Sequence, residues 1–132
     1  MKNIICVFGD ERFLIEERVR DFNVKFSGYT HEKFEAKVDL DNLYQAVSSL
    51  SLFNPNKLIF VKNPWFLSRK IEDKDLEKFQ TICKNIDINE HKLILYATDF
   101  KPNGRLKIFN FLKKEADIIE CKSFKEWEQY KV

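Results

Sequence analysis

The chain has 132 residues, enough for one compact domain with a real core and too few for two ordinary ones. Its 23 Lys and Arg against 21 Asp and Glu leave no global field of the kind that by itself implies a nucleic-acid partner. Cys6, Cys83 and Cys121 are odd in number, far apart and without a C-x-x-C pair, which argues against a disulfide framework or a zinc knuckle and for buried thiols.

Ile4 to Phe8 reads as a buried strand. It is too short for a membrane span or a signal-peptide core before Asp10 and Glu11 intervene, and no other stretch approaches a span, so a cytoplasmic location is expected. Gly9-Asp10 then punctuates the chain ahead of a helix in which Ile15, Val19, Phe22 and Phe26 recur at helical spacing. A weak strand is expected near Glu32 to Ala36, followed by a helix capped by Asp39 with Leu40, Leu43, Tyr44, Val47 and Leu50 along one face.

That second helix ends in the most informative stretch, Ser49-Leu50-Ser51-Leu52-Phe53, followed at once by Asn54-Pro55. Continued helically, Leu52 and Phe53 would point about 130° to either side of the apolar stripe. Pro55 biases Asn54 away from helix, so the helix should end near here and present both side chains at a turn. This makes Leu50, Ser51, Leu52 and Phe53 a candidate hydrophobic plug for another protein. The alternative is that the turn folds Leu52 and Phe53 back under the sheet as satellite core residues.

Leu58-Ile59-Phe60-Val61 is a continuous apolar run of the kind buried on both faces of a sheet. Pro64-Trp65-Phe66-Leu67 follows in a loop at its carboxyl end, where Trp65 and Phe66 could anchor a neighbouring subunit or domain, or fold over the sheet edge. Asp73 can cap a helix carrying Leu76, Phe79, Cys83 and Ile86. The strand Leu93 to Tyr96, a helix with Leu106, Phe109 and Leu112, and a last strand at Ile118-Ile119 complete the alternation. Five strands alternating with four helices predict an α/β fold, a mostly parallel five-stranded sheet flanked by helices on both faces. Thirteen Phe beside three Gly, three Pro and one Met add an aromatic core and short loops. Ser123-Phe124-Lys125-Glu126 has the form of a capping box. Residues 123–132 are therefore expected to begin a connecting helix to a following domain, with residues 1–122 as the α/β domain.

Ligand chemistry in such a fold belongs at the carboxyl ends of the strands. The first turn reads Phe8-Gly9-Asp10-Glu11-Arg12, with no phosphate-loop pattern and two carboxylates where a phosphate would sit; these can cap the helix themselves. The third strand ends Phe60-Val61-Lys62-Asn63, lacking an acidic residue for Mg²⁺. His31 and His91 have no companion at metal-ligand spacing and read as surface residues. No catalytic site, cofactor or metal is expected. The alternative is an enzyme or small-ligand domain with its site near Asp10, Thr98 and Asp99, and a third reading is an interaction module using the Trp65 loop. Lys101, Arg105, Lys107, Lys113 and Lys114 form a basic region in which Lys101, Arg105 and Lys107 could touch a DNA backbone. The interleaved Glu115 and Asp117 suit an ordinary solvated face.

Val7-Phe8-Gly9-Asp10-Glu11 leading into Leu14-Ile15-Glu16-Glu17, Ser51-Leu52-Phe53 before Lys57-Leu58-Ile59-Phe60-Val61-Lys62-Asn63, and the Arg105-Leu106-Lys107 to Lys113-Lys114 helix together resemble one family. It is the N-terminal domain of the delta subunit of bacterial DNA polymerase III, the clamp-loader subunit. The resemblance implies a degenerate AAA+ or P-loop-like domain without a nucleotide site. It implies a non-catalytic component of the DNA-directed DNA polymerase III holoenzyme, a nucleotidyltransferase complex. The implied partners are the beta sliding clamp, the ATP-binding clamp-loader subunits and, indirectly or weakly, DNA, with no membrane. It further implies that Ser-Leu-Phe inserts into a hydrophobic pocket of the clamp and helps open the ring. Ser49-Leu50-Ser51-Leu52-Phe53 is similar to the pentapeptide Gln-Leu-Ser-Leu-Phe, with Ser49 in place of the first Gln; Gln45 lies a full turn too early to replace it.

Overall fold

The computed structural model describes residues 1–49 and 56–122. The elements run β1 (Ile4–Gly9), α1 (Arg12–Lys25), β2 (Thr30–Phe34), α2 (Leu40–Ser48), β3 (Lys57–Lys62), a 3-10 turn (Trp65–Leu67), α3 (Asp73–Ile88), β4 (Lys92–Tyr96), α4 (Lys107–Glu115) and β5 (Asp117–Cys121). The strands form one five-stranded sheet in the order β2-β3-β4-β1-β5. Every pairing is parallel.

Parallel strands need crossovers, and the crossover helices bury both faces of the sheet. Cys6, Ile59, Val61, Leu93 and Leu95 point to one face, where Leu43, Val47, Phe79, Ile82 and Leu112 of α2, α3 and α4 cover them. Ile5, Val7, Leu58, Phe60 and Ile94 point to the other, under Ile15, Val19 and Phe22 of α1. The central strands are apolar on both sides for this reason. Edge strand β2 begins two residues earlier than expected and keeps its alternate residues partly wet.

Four local expectations change. Tyr44 is exposed and Ala46 takes its place on the buried stripe of α2. That helix stops at Ser48, with Ser49 already extended, because serines are weak helix formers and side chains from other elements take its last carbonyls. Neither Glu11, at the N-cap of α1, nor Glu72, at that of α3, makes a capping side-chain bond, and Asp73 is the first helical residue rather than the cap. Phe66 is fully buried and packs its ring 5.0 Å from that of Phe79, so it is core and not a subunit contact. Trp65 is half-buried and donates through Nε1 to the Val38 carbonyl at 2.8 Å, with Arg69 over its ring. Cys6 and Cys83 are buried free thiols, whereas Cys121, on the last strand, is only partly buried, and burial raises the Cys6 pKa to about 12. The expected helix at 123–132 lies outside the described residues.

Gly9 ends β1 where it is pressed against β5. A Cβ there would stand 2.0 Å from the Cys121 carbonyl oxygen and 2.8 Å from its nitrogen, both backbone atoms that cannot move aside independently. Gly9→Ala is therefore expected to lower the unfolding free energy by about 1–3 kcal/mol or more, because overpacking must shift β5 itself. Urea denaturation measures it, and an unchanged midpoint would show that the β1–β5 contact yields freely.

Candidate functional site

Residues 50–55, which include Leu50, Ser51, Leu52 and Phe53, lie outside the described residues. Their two flanks are described, and both are fixed by polar contacts at the amino ends of the strands. On one side, the Ser49 amide donates to the Gln45 carbonyl at 3.0 Å, closing the last turn of α2. On the other, the Asn56 carbonyl accepts from the Thr30 amide at 3.0 Å and the Asn56 side-chain amide donates to the Glu90 carbonyl at 3.1 Å. These bonds tie the start of β3 to β2 and to the turn before β4.

Lys57 joins the flanks. It is only 5% exposed, and its ammonium meets three acceptors: the Ala46 carbonyl at 2.9 Å, Ser49 Oγ at 2.8 Å and Glu32 Oε1 at 3.0 Å. An ammonium has three N–H donors, so the set is complete, as burial of a charge requires. The ammonium also sits at the negative end of α2, where a cation is favoured. The neighbouring carbonyl of Val47 accepts from the Asn89 side chain at 2.9 Å, and Ser48 Oγ accepts from Asn85 at 3.1 Å. Thus β3 and the end of α3 cap α2 together with its own Ser49.

The Lys57 main-chain N–H donates to His91 Nδ1 at 3.1 Å. His91 is completely buried, not a surface residue, and its Nε2 has no hydrogen-bond partner among the described residues. Acceptance at Nδ1 places the proton of the neutral ring on Nε2. Burial, and then the nearby Lys57 ammonium, hold its pKa below the ordinary 6.5. His31 is exposed, with Nε2 3.0 Å from the Phe26 carbonyl oxygen.

The carboxyl ends of the strands carry a different arrangement. Asn63, at φ 50°, accepts through Oδ1 from the Thr98 amide at 2.7 Å and the Asp99 amide at 3.0 Å, and its Nδ2 donates to Thr98 Oγ1 at 3.1 Å. The Asp10 amide donates to the Cys121 carbonyl at 3.2 Å. Asp10 is exposed and Asp99 lies 3.8 Å from Arg12, so the polar groups here bond one another across β3, β4 and β5. No group of three or more His, Cys, Asp or Glu suited to a metal ion occurs among the described residues. Among them, too, no helix is long and apolar enough to cross a membrane.

The basic residues separate. Lys101 pairs with Glu120 at 3.2 Å and Lys107 with Asp73 at 3.5 Å, while Arg105 makes no ion pair among the described residues. Arg105 and Lys70 border a groove of about 300 Å³ floored by Ile71, Leu76 and Leu106. Sequence reasoning missed Lys57, Asn63, Asn89 and His91. The available signal was a lysine and an asparagine bracketing the most apolar strand, positions where a polar residue must be satisfied at a sheet end.

These features define an all-parallel α/β domain with one sheet end closed on itself and the other holding the two flanks of an apolar segment. The model of the family described as DNA polymerase III, delta subunit matches residues 6–122, and the chain belongs to that family. A solved structure, the Bacillus subtilis DNA clamp loader delta protein (YqeN), is similar with a TM-score of 0.69 and 25% identity, covering 98% of this chain and 42% of that one. The chain therefore spans less than half the length of that relative. A comparison with curated sequences gave no match.

His91 makes the amino-end network sensitive to acid. Its folded pKa lies below the 6.5 of an unfolded histidine, so on acidification the unfolded chain binds the proton first. The stabilisation is complete above about pH 6.5 and is lost as pH falls through that value toward the lower folded pKa. The Tm should drop between about pH 7 and pH 5, and His91→Asn, which keeps an acceptor for Lys57, should flatten that part of the profile. An identical slope in the variant would assign the loss to another group.

Proposed function

We propose that this domain binds the beta sliding clamp through Leu52 and Phe53 and helps to open the ring during DNA replication, as a clamp-loader delta subunit. What supports the reading is that the described residues on either side of 50–55, Ser49 and Asn56-Lys57, are held by bonds to α2, β2 and the turn before β4. The family assignment and the similarity to a structure titled as a clamp loader protein support it.

Burying the two large apolar side chains in a partner pocket would contribute on the order of 3–6 kcal/mol gross, at about 1.5–3 kcal/mol each. Association costs consume much of this, so the plug specifies the site and neighbouring contacts add affinity. Ring opening follows if the domain grips the sprung clamp more tightly than the closed one, since a ligand shifts an equilibrium only by its differential affinity. ATP turnover then belongs to partner subunits whose motion exposes or hides the plug, and this domain acts as a lever.

In the full chain, Leu52→Ala/Phe53→Ala should abolish detectable clamp binding by surface plasmon resonance while circular dichroism stays unchanged. Binding as tight as the parent's would sink the plug assignment. Lys101, Arg105 and Lys107 are proposed to give a separate, weak contact to DNA backbone. That affinity should fall steeply between about 50 and 200 mM salt, and Arg105→Ala should weaken it, Arg105 being the one of the three with no competing carboxylate among the described residues. Fluorescence anisotropy with a labelled duplex would measure both, and a flat salt response would rule out a backbone contact.

A further inference from the structure

We propose that the groove between the starts of α3 and α4 is a docking site for an acidic segment of a partner protein, one in which a pair of apolar side chains is flanked by carboxylates. It stands apart from clamp binding. The groove encloses about 300 Å³, at the small end of the roughly 300–1,000 Å³ typical of ligand pockets. Ile71 in the connection before α3, Leu76 in the first turn of α3 and Leu106 just before α4 form its floor. Each packs against the core and is only partly buried, so apolar surface stays open to solvent. Three exposed cations, Lys70, Arg105 and Lys107, stand around this floor, and among the described residues no carboxylate lines it.

An apolar floor ringed by charge of one sign selects its occupant. Lys70 and Arg105 make no ion pair among the described residues. Lys107 reaches Asp73 across an exposed contact of 3.5 Å, the kind a competing carboxylate displaces at little cost. Glu72, next to Ile71 in sequence, faces Lys74 at 3.5 Å. Helix α4 starts with no side-chain cap and no acidic residue in its first turn, so its positive end adds to the field of the three cations. A basic partner is repelled here. A DNA backbone satisfies the cations but has no apolar group for Ile71, Leu76 and Leu106, and a phosphate held over them loses hydration without compensation. A peptide with carboxylates on both sides of an apolar pair meets floor and rim at once, the apolar centre and polar rim of a protein interface.

Fluorescence anisotropy of the full chain with labelled Ser-Glu-Asp-Ile-Leu-Asp-Glu-Ser tests the assignment. One control peptide has Ser-Ser in place of Ile-Leu, and a second has Gln and Asn in place of Glu and Asp. The acidic peptide should bind saturably, one to one, and each control about tenfold more weakly or worse, the first for its missing apolar burial and the second for its missing charge. Arg105→Ala, confined to the exposed rim, should weaken the acidic peptide about threefold to fivefold, and Ile71→Ser about tenfold. Two-dimensional ¹⁵N spectra of the unaltered chain locate the site without a variant. On titration the amides of Ile71, Leu76, Arg105 and Lys107 should shift, while those of Glu32 and Lys57 at the other end of the sheet should not. If Ile71→Ser does not fold, Arg105→Ala, the control peptides and the spectra decide. No saturable binding up to about 1 mM acidic peptide overturns the proposal, as do shifts confined to other residues. Equal affinity for the Ser-Ser peptide overturns it in favour of a charge-only contact of the kind a DNA backbone makes, and equal affinity for the uncharged peptide overturns the role of the rim.

Discussion

A sheet whose five strands are all parallel must be covered on both faces, and that constraint leaves chemistry only at its two ends. Ile5, Cys6, Val7, Ile59, Phe60, Leu93 and Ile94 are spent on packing under helices. Among the described residues the buried polar side chains, Lys57, Asn63 and His91, lie at or beyond a strand terminus. The two ends then diverge. At the carboxyl end Asn63 stitches β3 to the residues after β4, and Gly9 lets β1 approach β5 too closely for any side chain between them. At the amino end the polar groups serve instead to hold the flanks of residues 50–55.

This divergence gives physical content to the assignment of the chain to the delta subunit family. In an open α/β sheet the crevice beyond the strand carboxyl ends is the usual ligand site. Here the amides after β4 that could meet an anion already bond the Asn63 side chain, and the amide of Asp10 bonds Cys121. The interaction proposed above uses Leu52 and Phe53, whose described neighbours Ser49 and Asn56 lie at the opposite end.

The alternation of apolar runs was legible in the sequence because each strand had to be hydrophobic on two faces and each helix on one. The order and number of elements among the described residues followed from it. Helix ends were not legible. Periodicity extends α2 through Leu50, but its carbonyls are claimed by Lys57 and Asn89, residues far along the chain whose approach only the folded sheet creates. Phe66 read as loop because Pro64 precedes it, yet the 3-10 turn inserts it between Trp65 and Phe79. Leu52 and Phe53 stand out in the sequence as an apolar excess beyond the helical stripe. The buried polar residues Lys57 and His91 do not, since a lysine opening a strand and a histidine in a turn look like surface residues until the sheet buries them.

An apolar side chain at position 57 would cost less to bury than an ammonium, and buried ion pairs replaced by hydrophobic residues are often neutral or stabilising. What the ammonium supplies is direction. Dispersion contacts tolerate sliding, whereas three hydrogen bonds to Ala46, Ser49 and Glu32 fix one position of the end of α2 relative to β2 and β3. The cost of burying a charge there is offset by complete pairing of its donors.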